Sequence, residues 1–105
     1  MKAGKFLSNF LKSKDVKEPT TITITSVEVE EFKDDDGGAR ESLVLYAKEI
    51  EQGVVLSKTA LAQVIDILGS DETDTWTGKQ IVLFNDTSVT FKGKRVGGLR
   101  FREAA

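Results

Sequence analysis

Residues 20–32, TTITITSVEVEEF, decide the fold, because β-branched residues alternate there with polar ones over the length of a long strand. The apolar positions change parity within the stretch: Ile22 and Ile24 are even-numbered, whereas Val27 and Val29 are odd-numbered. Successive side chains of a strand point to opposite faces, so a β-bulge or a sharp bend between the two pairs is needed to keep both on the core side. A long, bent first strand of this kind is typical of small barrels in which one strand serves two sheets.

Two further strands are predicted after this one. The turn sequence KDDDGGARE (33–41) leads into SLVLYAKEI (42–50), and the short turn EQG (51–53) leads into GVVLS (53–57). Three consecutive antiparallel strands are therefore expected in the first half of the chain.

One helix is predicted in the middle of the chain, over SKTALAQVIDILG (57–69). Ser57 suits the N-cap and Gly69 suits the position after the last turn. The apolar stripe of this helix consists of Leu61, Val64, Ile65 and Leu68. Strands then return as KQIVLFN (79–85), SVTFK (88–92) and VGGLRFR (96–102), and the pair Gly97 and Gly98 indicates a second bulge.

The order of three strands, one helix and two or three strands matches the OB-fold, a five-stranded Greek-key barrel with a helix between its third and fourth strands. We therefore predict a mainly β, small OB-fold-like barrel over 20–105, with room for a sixth strand. An SH3-like barrel and an α+β roll are the alternatives. Residues 1–19 form a basic segment compatible with a short helix that packs on the barrel, and Pro19 ends it. The apolar stripe of this segment consists of Phe6, Leu7, Phe10 and Leu11.

The composition excludes several classes of function. The chain has 105 residues, a formal net charge of -2, no cysteine and no histidine. Without these two residue types there are no thiolate nucleophiles, and the commonest general base and transition-metal ligand are missing. We expect a protein that is not an enzyme and has no cofactor. No apolar run approaches the roughly 20 residues that span a bilayer, so a cytoplasmic location is expected.

The acidic turn DDDGG (34–38) could in principle offer carboxylates to calcium. It lacks the alternating ligand positions and the terminal glutamate of an EF-hand loop, so a solvated turn is expected and no metal site is predicted.

The stretch FKGKRVGGLRFR (91–102) is the strongest candidate for a binding surface. It is compatible with a nucleic-acid contact and equally with the solvated face of an edge strand. Residues two apart in a strand lie roughly 6.5–7 Å from each other, which is comparable to the spacing of successive phosphates, so Arg100 and Arg102 could contact one backbone. The candidate cations are Lys92, Lys94, Arg95, Arg100 and Arg102, with Lys58 and Lys79 as further contributors.

Aromatic residues provide the other half of a single-strand site, because bases stack on them. Tyr46 is the best candidate for an exposed stacking platform. We expect Phe84, Phe91 and Phe101 in the core, and we expect Trp76 to anchor the connection after the helix.

Several stretches resemble a group of small proteins carried by bacteriophages and prophages. They are FLKSKDV (10–16), the region VVLSKTALAQVIDILGSDETDTWTGKQIVLF (54–84) and FKGKRVGGLRFR (91–102). The connection before the fourth strand departs from the group's pattern, since Ser70 stands between its glycine and its aspartate. The resemblance implies a phage-derived cytoplasmic protein of a bacterial host with an OB-like barrel, and phage OB-folds often serve DNA replication or recombination.

Two functions remain open at this stage. The first is binding of single-stranded DNA or another nucleic acid through the basic stretch. The second is a protein–protein adaptor or structural role in a phage or prophage, with a phage or host protein as partner. An acidic sequence pI near 5.2 lies below the basic profile of dedicated nucleic-acid binders.

Overall fold

Antiparallel strands dominate the structure, a computed structural model that describes residues 10–33 and 37–104. In chain order the strands are β1 (Thr20–Lys33), β2 (Ala39–Ala47), β3 (Val54–Val55), β4 (Gln80–Asn85), β5 (Thr90–Phe91), β6 (Lys94–Arg95) and β7 (Leu99–Glu103). One α-helix, α1 (Lys58–Leu68), follows β3, and short 3₁₀ turns occur at Ser13–Asp15 and Thr73–Thr75. The predicted mainly β class is confirmed, with the helix between the third and fourth strands.

Strand β1 lies at the centre of a five-stranded antiparallel sheet with the order β3-β2-β1-β4-β7. Residues 20–23 of β1 pair with β4, whereas Ile24 and residues 26–33 pair with β2. The register between β1 and β2 shifts between Ile24 and Ser26, so the bulge predicted from the parity change is confirmed. The bulge is the point at which β1 passes from one partner strand to the other.

The core begins at the first half of β1, where Ile22 and Ile24 are fully buried. After the bulge Val27 is half-buried and packs against the core, whereas Val29 is 60% exposed. The parity of Val29 predicts a side chain that faces the core. In the structure this side chain is exposed, because the β1–β2 hairpin extends past the core. Other large residues that are fully buried are Val44, Leu45, Val54, Val64, Trp76, Ile81 and Leu83.

Helix α1 has the ends that its sequence predicts. The Ser57 side chain accepts a hydrogen bond from the Ala60 N–H at 3.2 Å, and Gly69 has a positive φ of 72° at the C-terminal end. Only glycine adopts this left-handed backbone conformation without steric strain. Trp76 is fully buried and its Nε1–H donates to the Ser70 carbonyl at 2.9 Å, so its predicted role as an anchor is confirmed. In the described part of the chain, no helix has the length and apolarity needed to cross a membrane.

Strand β3 is shorter than predicted, at two residues instead of the five of GVVLS. Leu56 still donates its N–H to the Leu43 carbonyl, but the next residue, Ser57, already caps the helix. The onset of α1 therefore limits the strand.

The sheet does not close on itself: among the described residues no ladder joins β3 to β7. The N-terminal segment lies along β3 instead, where Phe10 forms a parallel bridge with Gly53 and the Leu11 N–H donates to the Gly53 carbonyl at 2.8 Å. Further along, the Ser13 hydroxyl donates to the Val96 carbonyl at 3.4 Å, and Val16 is buried in the core. The segment thus connects the β3 edge with the region that precedes β7.

The helix predicted near the N-terminus falls mostly on residues 1–9, which lie outside the described residues. Phe10 and Leu11, the last two members of its apolar stripe, are not helical. The Phe10 ring instead makes an edge contact with the Phe32 ring, with 5.2 Å between the ring centroids.

Candidate nucleic-acid interface

The basic C-terminal stretch lies on one irregular hairpin, residues 80–103, which we name the β4–β7 arm. β4 pairs with β7 from Ile81 opposite Glu103 to Asn85 opposite Leu99. The backbones of Asp86 and Gly98 then exchange two hydrogen bonds, of 2.8 and 3.1 Å, and β5 pairs with β6 beyond them. All the candidate cations from Lys92 to Arg102 therefore belong to a single structural unit.

A bulge separates the base of the arm from its tip. The N–H groups of Val96 and Gly97 both donate to the Val89 carbonyl, at 3.0 and 3.2 Å, so two residues face one. Gly97 has a φ of 75°, which explains the glycine at this position. The second bulge predicted from the glycine pair is confirmed, displaced by one residue.

The tip of the arm is a tight turn in which Lys92 and Gly93 both have positive φ, 52° and 80°. Positive φ at both central residues is what a two-residue hairpin of the favoured twist requires. Lys92, Lys94 and Arg95 are all exposed there. The arm as a whole carries five basic residues against two acidic ones, Asp86 and Glu103, so it is cationic in an otherwise acidic chain.

At the base of the arm the two arginines share one face of the sheet. Arg100 pairs with Phe84 and Arg102 pairs with Val82, while the intervening Phe101 is buried on the other face. The predicted placement of both arginines on one face is confirmed. Arg102 is exposed and Arg100 is half-buried.

Phe84 also lies on this face and is only half-buried, so its predicted place in the core is wrong. The Arg102 Cζ lies 5.5 Å from the centroid of the Phe84 ring, which is within cation–π range. The run IVLF (81–84) is apolar at every position and gives no parity signal. Only the pairing with β7 shows which two of its residues face outward. The side chain of Phe91, also predicted in the core, lies outside the described part of the structure.

Arg100 is held against its own strand. Its Nη1 donates to the Leu99 carbonyl at 2.9 Å, and a Cβ added at Gly98 would lie 3.0 Å from the same nitrogen. The absence of a side chain at Gly98 therefore leaves room for this arrangement. Arg100 also lines an open groove of about 370 Å³ between β3 and β7, together with Val55 and Ser57.

Asp86 is the acidic group beside this arginine. Hydrogen bonds from the Ser88 hydroxyl (2.6 Å) and the Ser88 N–H (2.9 Å) lower the pKa of Asp86, and the Arg100 charge lowers it further. Asp86 is therefore ionised at neutral pH and offsets part of the positive charge at the base of the arm.

The two additional lysines occupy different places. Lys58 is the exposed first residue of α1, between Ser57 and Thr59, which both line the groove beside Arg100. Lys79 precedes β4, and its carbonyl accepts from the Ile24 N–H. Lys79 lies at the end of β4 that is farther from the tip of the arm. Phe84 is five residues further along the chain, which corresponds to about 16 Å in an extended strand.

Tyr46 lies apart from the arm, because β2 is separated from β4 by β1. Its hydroxyl donates to Glu30 Oε2 at 2.8 Å, and a Cβ added at Gly53 would lie 2.9 Å from the ring Cε1. Burial raises the pKa of Tyr46 to about 12, with further contributions from the hydrogen bond to Glu30 and the charges of Glu30 and Glu28. A half-buried ring next to two carboxylates is poorly placed to receive a polyanion. The structure does not bring Tyr46 together with the basic residues.

The acidic turn 34–36 and its calcium alternative lie outside the described residues. Within 10–33 and 37–104, no group of three or more potential ligand side chains is placed to hold a metal ion.

The chain matches no protein-family model, no curated protein and no solved structure.

Proposed function

We propose that this chain is a non-enzymatic binding protein that holds single-stranded nucleic acid along the β4–β7 arm. The observation that carries the proposal is the composition of that arm. Five cations and a half-buried phenylalanine share one hairpin, in a chain whose remaining residues include 15 acidic and 10 basic side chains. Polyanion binding is favoured on this hairpin and disfavoured on the glutamate-rich β1–β2 hairpin.

Single-strand binders combine cations that follow the backbone with aromatic groups that stack on bases. The base of the arm offers both, since Arg100 and Arg102 flank the strand position opposite Leu83 and the Phe84 ring lies on their face. The tip, with Lys92, Lys94 and Arg95, extends the cationic track away from the sheet.

The OB-like identity of the fold belongs to this proposal. The order β3-β2-β1-β4-β7, with a helix between β3 and β4, has the strand neighbours of an OB-fold opened between its third and last strands. We further propose an origin in a phage or prophage and a role in DNA metabolism in the cytoplasm of the bacterial host. That origin is supported by the resemblance of the quoted sequence stretches alone.

Fluorescence anisotropy of a labelled single-stranded oligonucleotide, repeated across a salt series, tests the proposal. We expect saturable binding with a negative log–log salt slope. Replacing both Arg100 and Arg102 with glutamine should make the slope shallower by about 0.7 to 1.4, at about 0.7 for each phosphate that is no longer neutralised. The matched control replaces Lys17 and Lys48, which are exposed and lie off the arm, with glutamine.

Two results would contradict the proposal in different ways. Absence of binding at low salt would exclude nucleic acid as the ligand. Binding that is unaffected by the arginine pair but reduced by the lysine pair would place the binding surface elsewhere on the molecule.

A protein adaptor is the second candidate, and the exposure of Val29 favours it. This valine is 60% exposed in the middle of the β1–β2 hairpin, where it pairs with Leu43. An exposed apolar side chain on a glutamate-rich hairpin suits a basic protein partner with an apolar contact at its centre. Association of a purified phage replication or morphogenesis protein, abolished in Val29→Lys and accompanied by no nucleic-acid binding, would favour this function over the first.

A further inference from the structure

We propose that the two arginines at the base of the β4–β7 arm have different roles, with Arg102 and Phe84 stacking an unpaired base and Arg100 binding a backbone phosphate. The inference rests on the proposed function and identifies the ligand class more closely, as a strand whose bases are unpaired and accessible.

The role of Arg102 follows from its surroundings. Its guanidinium lies over the Phe84 ring at 5.5 Å, the side chain is exposed, and in the described part of the chain it makes no hydrogen bond. The guanidinium is therefore in contact with an apolar surface and open to solvent. Bases in single strands stack both on aromatic rings and on guanidinium planes.

The role of Arg100 follows from the opposite features. It is half-buried, one of its nitrogens is occupied by the Leu99 carbonyl, and the side chain lines the groove between β3 and β7. A guanidinium fixed in this way loses little conformational entropy when its remaining donors bind an oxyanion. Among the described side chains no aromatic ring lies under it, so it offers charge and directed donors in place of a stacking surface.

The spacing allows both contacts on one strand of nucleic acid. Side chains two residues apart on a strand are roughly 6.5–7 Å apart, close to the separation of neighbouring nucleotides. A base on Arg102 and Phe84 and a phosphate on Arg100 would therefore come from the same nucleotide or from adjacent ones. Duplex bases are stacked on each other and do not reach such a platform.

The test compares two oligonucleotides of equal length, one with thymine bases and one composed of abasic sugar–phosphate units. The wild-type protein should bind the thymine strand more tightly. Arg102→Lys, which keeps the charge and removes the plane, should weaken binding of the thymine strand roughly fivefold or more and leave the abasic strand unchanged. Arg100→Lys, which loses the fork geometry, should weaken both strands by a similar factor of about three. Arg40→Lys on the β1–β2 hairpin is the matched control.

Phe84→Leu gives a second route to the same conclusion, because it removes the ring and keeps an apolar residue. It should reproduce the effect of Arg102→Lys, weaker binding of the thymine strand only, and thermal melting of each variant shows that it is folded. If Arg102→Lys and Arg100→Lys behave alike on both strands, the division of roles is wrong even though the arm binds nucleic acid. If the wild-type protein binds neither strand at low salt, the proposed function fails, and this inference fails with it.

Discussion

The backbone N–H of Phe101 donates to Oε1 of Gln63 at 2.9 Å, so a side chain of α1 occupies a hydrogen-bonding position on the outer edge of β7. β7 is the last strand of the sheet, and an edge strand with free N–H groups is a template for pairing with another chain. The Gln63 side chain therefore satisfies one N–H on the outer edge of β7 that would otherwise be open to pairing with another strand.

We expect Gln63→Met to destabilise the fold by about 1–2 kcal/mol, because it leaves a part-buried N–H without an acceptor while keeping a side chain of similar length. Urea unfolding at neutral pH measures the change. Gln80→Met is the matched control: Gln80 makes an exposed hydrogen bond to the Thr23 hydroxyl, so its removal should cost less than about 0.5 kcal/mol. Equal effects of the two substitutions would show that the Phe101 bond contributes nothing specific.

The pKa of Tyr46 can be measured directly, because this is the only tyrosine in the chain. Ultraviolet absorbance at increasing pH should show phenol ionisation near 12, well above the usual value of 10. Since the folded pKa lies above the unfolded one, the stability that this group contributes is present below pH 10 and is lost as the pH rises through 12. Tyr46→Phe should therefore flatten the loss of stability over that range.

Glu30→Gln separates the causes of this shift. Burial is the largest cause and remains in the variant, whereas the charge of the hydrogen-bond acceptor is removed. The midpoint should fall only part of the way toward 10. A midpoint near 10 in the wild-type protein would show that Tyr46 is neither buried nor hydrogen-bonded to Glu30 in solution.

Glu49 provides a prediction at acid pH. Its carboxylate accepts the Thr23 N–H at 2.6 Å and the Thr23 hydroxyl at 2.7 Å, and these bonds lower its pKa below the usual 4.5. A lowered folded pKa means that its contribution to stability is present above pH 4.5 and is lost as the pH falls through the folded value. Unfolding measured from pH 6 to pH 2 should therefore show a weaker acid dependence in Glu49→Gln than in wild type. Glu51→Gln, in the adjacent turn, should leave the profile unchanged.

The tip of the arm should contribute charge without stacking. Replacing Lys94 and Arg95 with glutamine should make the salt slope of single-strand binding shallower by up to about 1.4 and should weaken thymine and abasic strands equally. Both side chains are exposed on a short hairpin, so the melting temperature should change little. Weakening confined to the thymine strand would instead show that bases contact the tip.

The parts of this fold that are predictable from sequence are those controlled by local rules. The helix between Ser57 and Gly69 has capping residues at both ends, and the bulge after Ile24 is encoded in the parity of β1. The burial of Trp76 follows from its position in a polar connection that needs an anchor. Each of these signals lies within about a dozen residues of the chain.

The incorrect predictions depend on contacts between distant segments. The outward face of Phe84 is set by its register with β7. The two-residue length of β3 is the exception, since it is set by the onset of α1 directly after it in the chain. The gap between β3 and β7, with the N-terminal segment along β3, involves residues more than 40 positions apart. Periodicity within one element contains no information about any of them.

The candidate site shows the same division. The cations from Lys92 to Arg102 can be identified from sequence because they are neighbours in the chain and share one hairpin. Sequence alone favours Tyr46 as the stacking platform for these cations. In the structure β1 lies between β2, the strand of Tyr46, and β4, and this strand order is not visible in the local sequence pattern. The exposure of Phe84 depends on its pairing partner and not on its neighbours in the chain, so sequence periodicity does not indicate it.

The passage of β1 from β4 to β2 at its bulge has a consequence for how the molecule folds. β1, β2 and β3 can pair locally, and so can the two sides of the β4–β7 arm, but the ladder between residues 20–23 and 80–83 closes a loop of about 60 residues. Formation of that four-residue ladder is the costly entropic step, and it joins two halves of the chain whose buried side chains form one core. Folding should therefore be slow relative to helical domains of the same length, and cooperativity between the halves should depend on one strand segment, 20–23.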